Sequence, residues 1–163
     1  MIFSPDNHLY DLAGRYRWTP PRAKAAWGKT WHQLEDYLGW CPEPKKVVIL
    51  MGAPGSGKST WLDRNREHGV VYFDACFDLD WKRANLTRRV WREYPGCPVE
   101  CVWIDTPAHI CKERNATRPA DRRVPEHAID KMVRYISECP PDAEEEGFTR
   151  VVRVTPKSNR GGA

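Results

Sequence analysis

Gly52-Ala53-Pro54-Gly55-Ser56-Gly57-Lys58-Ser59-Thr60 decides how the rest of the chain is read. The glycines of this GxxxxGK[ST] spacing let the backbone turn so that successive N–H groups face one anionic centre. A helix opening at the end of the loop adds its positive N-terminal end. In such a loop the lysine, here Lys58, reaches the β- and γ-phosphates of a nucleoside triphosphate, and the hydroxyl of Ser59 ligates Mg²⁺. The flanks agree with this reading. Val47 to Met51 is an apolar run rich in branched residues, as a buried parallel strand requires, and Trp61-Leu62 carries the chain into a helix. The stretch Gly52 to Thr60 is therefore expected to bind ATP and Mg²⁺.

C-terminal to the loop, apolar runs alternate with helical patterns. A helix from Ser59 to about Glu67 stops at His68-Gly69, and Val70 to Phe73 forms a second buried strand that ends in Asp74. A helix from about Leu79 to Tyr94 ends at Pro95-Gly96, and Val99 to Ile104 is a third strand, closed by Asp105-Thr106-Pro107. Pro107 suits the first position of a helix that leads into an Arg-rich segment, Arg114 to Arg123. Pro125 opens a helix whose buried stripe is Ile129, Met132, Val133 and Ile136, and Phe148 to Val154 is the last strand. This order predicts an α/β fold, a parallel sheet of about four strands with helices on both faces.

N-terminal to the loop the composition changes. Residues 1–45 are rich in aromatics and proline, and Trp27, Trp31, Leu34 and Leu38 recur at steps of three and four, which predicts an amphipathic helix from about Arg22 to Leu38. The expected organisation is an N-terminal helical extension (1–45) packed on a catalytic domain (46–155), then a disordered tail (156–163).

Several side chains are candidates for chemistry. Asp74 stands at the carboxyl end of its strand, where a parallel sheet opens toward ligand; it can hold Mg²⁺ or accept the proton of an attacking hydroxyl. Asp78 and Asp80 come in the next turn, and either is also placed to be the base. Asp105 reads as part of a helix start, with a direct role as the alternative. Arg118, with Arg114, Arg122 and Arg123 around it, belongs to a loop between two helices, a natural source of positive charge for a moving phosphoryl group.

The chain has 163 residues and 40% hydrophobic content, enough for one moderate core. No run approaches the ~20 apolar residues of a membrane span, which predicts a cytoplasmic protein. Its six cysteines are expected to be free thiols in a reducing compartment. The formal charge of +4 is gathered at residues 82–92 and 112–123, which points to an anionic substrate or a solvated helix face. Eight tryptophans suggest packing, with one or two free to stack on a base.

Taken together these residues resemble the phage-type polynucleotide 5′-hydroxyl kinases and their small P-loop relatives. The likeness covers about residues 46–154: the loop through Trp61, Phe73-Asp74 before a basic helix with Lys82-Arg83, then Ile104-Asp105-Thr106-Pro107. It continues through Arg114-Asn115-Ala116-Thr117-Arg118, Arg123-Val124-Pro125-Glu126 and Pro140-Pro141 ahead of Glu145-Glu146-Gly147-Phe148. The resemblance implies that Lys58 and Ser59 serve phosphates and Mg²⁺ and that Arg118 is the lid arginine on the transferred phosphoryl group. Asp74 matches the aspartate ending the family's later strand. The family carries a further strand with an Asp-x-x-Arg motif, bearing the base, between the loop's helix and that later strand. Here the interval is too short for it, and Asp80-Trp81-Lys82-Arg83 spells the motif at the following helix instead.

The resulting expectation is an ATP-dependent kinase acting on a nucleic-acid hydroxyl, DNA more than RNA: a 5′-hydroxyl end or the hydroxymethyl group of a modified base in phage DNA. A small-molecule kinase and a nucleotide-binding switch that presents its Trp-rich helix to a partner are the rival readings.

Overall fold

The computed structural model describes residues 1–155; the expected tail, 156–163, lies outside the described residues. In chain order the elements are β1 (Ile2–Phe3), a 3-10 turn (Pro5–His8), α1 (Pro20–Trp40), β2 (Lys46–Met51), α2 (Lys58–Asn65) and β3 (Val70–Asp74). After these come α3 (Asp80–Glu93), β4 (Val99–Ile104), α4 (Ala108–Ala116), a 3-10 turn (Ala120–Arg122), α5 (Glu126–Glu138), α6 (Ala143–Glu146) and β5 (Arg150–Val154).

The strands form one parallel sheet in the order β1-β3-β2-β4-β5. The fold is α/β, of the P-loop NTPase type, as the motif order predicts. The sheet has five strands rather than four. The extra one, Ile2–Phe3, pairs with Tyr72 and Phe73 at the edge beside β3. Two residues are too few for alternation to show, and the partner lies about 70 positions away, so only the folded chain reveals it.

Period-two alternation divides the core. Val47, Ile49, Met51, Val71, Phe73, Val99 and Cys101 face one side, where Leu34 and Leu38 of α1, Leu86 and Val90 of α3, and Ile136 of α5 cover them. Val48, Leu50, Val70, Tyr72, Val102 and Ile104 face the other, covered chiefly by Leu62 of α2. Helices thus lie on both faces.

α1 starts where Thr19 accepts a hydrogen bond from Arg22 N, with prolines in its first turn. Its stripe is core, not ornament. Trp27 stacks on Phe73 at 5.8 Å, Trp31 approaches the same ring at 4.9 Å, and Leu34 is fully buried. Glu35 accepts hydrogen bonds from Arg89 and Arg92 of α3, and the Arg89 guanidinium lies 4.9 Å over Trp31. These two tryptophans are packed against the interior and partly buried.

The largest fully buried side chain is charged. Arg83 donates from Nε and Nη2 to the two carboxylate oxygens of Glu146, at 2.6 and 2.8 Å, from Nη1 to Phe77 O and from Nη2 to Cys139 O. All three guanidinium nitrogens are thereby engaged. Phe77 takes a left-handed conformation (φ 48°), and its carbonyl is one of the groups held, so the pair fixes the turn after Asp74. Arg83, the last residue of the Asp-x-x-Arg match, is therefore interior scaffold. Asp80 sits exposed at the first turn of α3, its Oδ1 accepting from Trp81 N at 2.7 Å.

Arg83→Ala is expected to leave Glu146 buried without its cation. The destabilisation should be about 3–5 kcal/mol in urea unfolding, whereas the surface change Arg88→Ala should cost below about 0.5 kcal/mol.

Candidate active site

All five strands run the same way, so β2, β3 and β4 deliver their following loops to one edge of the sheet. From β2 comes the loop 52–57, from β3 Asp74, and from β4 Asp105 and Thr106.

Two glycines in the loop are required by space as well as by backbone angle. A side chain at Gly55 (φ 83°) would put Cβ 2.5 Å from Cys111 O of α4, and one at Gly52 (φ 153°) would meet Ser56 Oγ at 2.7 Å and Ile104 O at 2.8 Å. Gly57, also left-handed, caps α2. The first hydrogen bond of α2 is Trp61 N to Gly57 O at 2.9 Å, so the amides of Lys58, Ser59 and Thr60 have no carbonyl one turn back. They converge on the mouth of a cavity of about 790 Å³ lined by the loop together with Trp61, Arg64, Arg114, Arg118 and Val154. Ser56 Oγ is buried there without a hydrogen-bond partner among the described residues. Open amides, an orphaned hydroxyl and an ammonium group are the donor set of a polyphosphate site, and the Ser59 hydroxyl beside them is a hard oxygen ligand of the kind Mg²⁺ takes. The residues present fit ATP and Mg²⁺.

The loop is braced from behind. Thr106 Oγ1 donates to Ser56 O at 2.8 Å, and Arg114 Nη1 donates to Ser56 O and Gly55 O at 3.0 and 3.2 Å. These bonds occupy the carbonyls of Gly55 and Ser56 and fix the loop's course. Lys58 Nζ donates to Gly52 O at 2.9 Å, a contact that parks the ammonium across the loop.

Asp74 ends β3 at the same edge of the sheet. Burial pushes its carboxyl above the usual carboxylate range; the charge of Lys58 pulls it back in part, and that of Asp6 pushes the same way as burial. Among the described residues Asp74 has no hydrogen-bond or ion-pair partner. Asp78, by contrast, is paired with Lys82 at 2.8 Å. Asp105 accepts from Arg153 Nε at 2.8 Å; among the described residues no side chain caps α4, whose N-cap is Pro107. The helix-start reading of Asp105 thus gives way to an ion pair with β5, because Pro107 already sets the entry into the helix.

The Arg-rich segment between α4 and α5 is tied at its base by one buried side chain. Asn115, 4% exposed, donates from Nδ2 to Val124 O at 2.8 Å and accepts from Val124 N at 3.0 Å, closing the loop between them. Arg123 Nε donates to Arg118 O, and Arg118 itself lines the cavity. Thus Gly55, Ser56, Gly57, Lys58, Ser59, Thr60, Arg114 and Arg118 share one cavity lining; Gly52, Ala53, Pro54, Asp74 and Asp80 are not among its residues. Sequence reasoning overlooked Thr106 and Asn115. The signal for Asn115 was present as the second residue of Arg-Asn-x-x-Arg; Thr106 was hidden in what looked like a helix start.

A family model described as an AAA domain matches residues 64–139, from the end of α2 through the Arg-rich segment and α5, beginning just beyond the loop. That family is P-loop NTPase-like and includes many kinases, which supports nucleotide-dependent phosphotransferase chemistry in general. No curated protein matches the chain.

Asp74→Asn should be more stable than the wild type at pH 7. A carboxyl whose folded pKa is raised favours the folded state below its unfolded value of about 3.9, and that contribution is lost as pH rises through the folded value. Thermal melts in EDTA should show a higher Tm for the variant at pH 7 and no difference near pH 3. Asn115→Ala should free the Arg-rich segment and weaken ATP binding about tenfold in calorimetry, since both backbone groups of Val124 lose their partner.

Proposed function

We propose that this protein is an ATP-dependent kinase that transfers the γ-phosphoryl group to a hydroxyl of a nucleic acid, either a 5′-hydroxyl end or the hydroxymethyl group of a modified base in DNA. The observation that carries the reading is Asp74: an unpartnered, half-buried carboxylate with raised proton affinity, set beside Lys58 at the mouth of the phosphate loop. A carboxylate whose proton affinity is raised in this way is suited to taking the proton of a hydroxyl.

In the reaction Asp74 accepts the proton of the attacking hydroxyl. The freed oxygen forms its bond to the γ-phosphorus as the bond to the ADP oxygen breaks in line. The amides of Lys58, Ser59 and Thr60 hold the phosphates, Lys58 leaves Gly52 O for the β- and γ-oxygens, and Arg118 closes over the charge that spreads on the moving group. Ser59 and Asp74 are the residues that would hold Mg²⁺, and the ion would supply positive charge to offset that of the phosphates.

Two features favour a nucleic acid over a small acceptor. Arg122 and Arg123 of the Arg-rich segment are exposed beside Arg118, and Trp18 and Trp81 are exposed by more than half. Exposed guanidinium groups and accessible aromatic rings on one molecule suit a strand that offers both phosphates and bases.

With labelled ATP, transfer is expected to DNA carrying a 5′-hydroxyl or a hydroxymethylated base, and to fall at least ~100-fold in Lys58→Ala. Retention on DNA should weaken steeply between about 50 and 200 mM salt, on the order of ten- to a hundredfold for two or three phosphate contacts. Intact ATP binding with no transfer to any nucleic acid would refute the acceptor class.

A further inference from the structure

The N-terminal segment carries groups that the phosphoryl transfer leaves unused. β1 runs parallel to β3 with Phe3 level with Phe73, so the chain leaves the sheet at Ser4 beside Asp74 and at the same edge. From Ser4 onward the segment is anchored at several points. Pro5 and Leu9 are buried, and His8 Nε2 pairs with Gln33 Oε1 of α1 at 2.9 Å. Between these anchors Asp6 is exposed and has no ion pair among the described residues. Its Oδ1 accepts only a long hydrogen bond, 3.4 Å, from the hydroxyl of Tyr16.

Tyr16 belongs to a hairpin that Asp11 organises. The Asp11 carboxylate accepts from the amides of Arg15 and Ala13 and from the guanidinium groups of Arg15 and Arg17, which together hold it at about 2. Tyr10 and Tyr16 bridge across the hairpin, with ring centroids 5.5 Å apart. The hairpin reaches the Arg-rich segment: Arg122 lies 5.2 Å over the ring of Tyr10. Residues 4–17 therefore run from the end of β3, beside Asp74, to the Arg-rich segment at Arg122, next to the cavity at the phosphate loop rather than in its lining. The charge of Asp6 is felt at Asp74, and that of Arg118 at the Tyr16 hydroxyl.

We propose that residues 4–17 form the acceptor wall of the site, with the Asp6 carboxylate and the Tyr16 hydroxyl binding a sugar or hydroxymethyl acceptor and directing its hydroxyl to Asp74. The proposal rests on the kinase reading of the same site. Two carboxylates close together at the sheet edge, Asp6 and Asp74, accept hydrogen bonds from neutral hydroxyls and repel phosphate oxygens. They therefore turn the phosphodiester of a nucleic acid toward Arg118 and Arg122 and leave the hydroxyl end at Asp74. Asp6 holds the acceptor, and Asp74 takes its proton.

The test compares Asp6→Asn and Tyr16→Phe with the wild type, using labelled ATP against a 5′-hydroxyl oligonucleotide, a hydroxymethylated duplex and a panel of nucleosides and sugars. Both positions are at least partly exposed, so Tm should match the wild type. Asp6→Asn is expected to raise the KM of the acceptor about tenfold or more, with the KM of ATP unchanged; Tyr16→Phe should raise the acceptor KM by a smaller factor. Equal effects on both KM values, or no effect, in variants of wild-type Tm would overturn the acceptor wall while leaving the kinase reading intact. Transfer to a small molecule alone, with the acceptor KM still raised in Asp6→Asn, would keep the wall and overturn the nucleic-acid reading. A wild-type protein that binds ATP and phosphorylates nothing in the panel would overturn both.

Discussion

Backbone amides at the start of α2 that no carbonyl can satisfy are the constraint on which the rest of this structure depends. They are useful only if they converge, and they converge only because the loop turns through positions where a side chain cannot exist. Gly55 is pressed against Cys111 O and Gly52 against Ser56 and Ile104 O. Cys111 belongs to α4 and Ile104 to β4, so the loop is shaped by the sheet and by the helix behind it. Thr106 and Arg114 complete the arrangement by occupying the carbonyls of Gly55 and Ser56.

The turn after β3 depends on a different interaction. A buried Arg83–Glu146 pair is an expensive way to fill an interior, and a hydrophobic pair of equal volume is often at least as stable. Its use here is positional. The guanidinium reaches the carbonyls of Phe77 and Cys139 as well as the carboxylate, tying the turn after β3 to α6 and to the end of α5. That turn comes directly after Asp74. The carboxylate proposed to do chemistry is left exposed to its own desolvation cost, while the neighbouring charge is fully satisfied.

The N-terminal forty residues are part of this same construction. α1 supplies Leu34, Leu38 and two tryptophans to the face of the sheet that α3 shares, and it gives the Pro5–His8 turn a surface to rest on. Removing its two buried leucines from water alone is worth roughly 1.5–3 kcal/mol each. Phe73 is packed from that side, and Asp74 is its neighbour in the chain, so the helix bears on the site through one residue of β3.

Much was legible in the linear chain. The phosphate loop depends on local spacing, and β2 and β3 are nearly continuous apolar runs, as is β4 apart from Glu100, so their order and parallel direction can be read from motif and composition. Helices α1 to α5 appeared within a few residues of their observed bounds, since their periodicity is local too, whereas the single turn of α6 is too short to show one. Two-residue β1 carries no periodicity, and the partner of Arg83 lies 63 positions away in what reads as a surface acidic run. Of Asp74, Asp78, Asp80 and Asp105, all near strand ends or turns, only the tertiary structure shows that three are engaged by Lys82, by the start of α3 and by Arg153, leaving Asp74 unpartnered among the described residues. Spacing along the chain determined the phosphate grip; which charges are neutralised by distant ones depends on folding in three dimensions, because an ion pair leaves no trace in the order of residues.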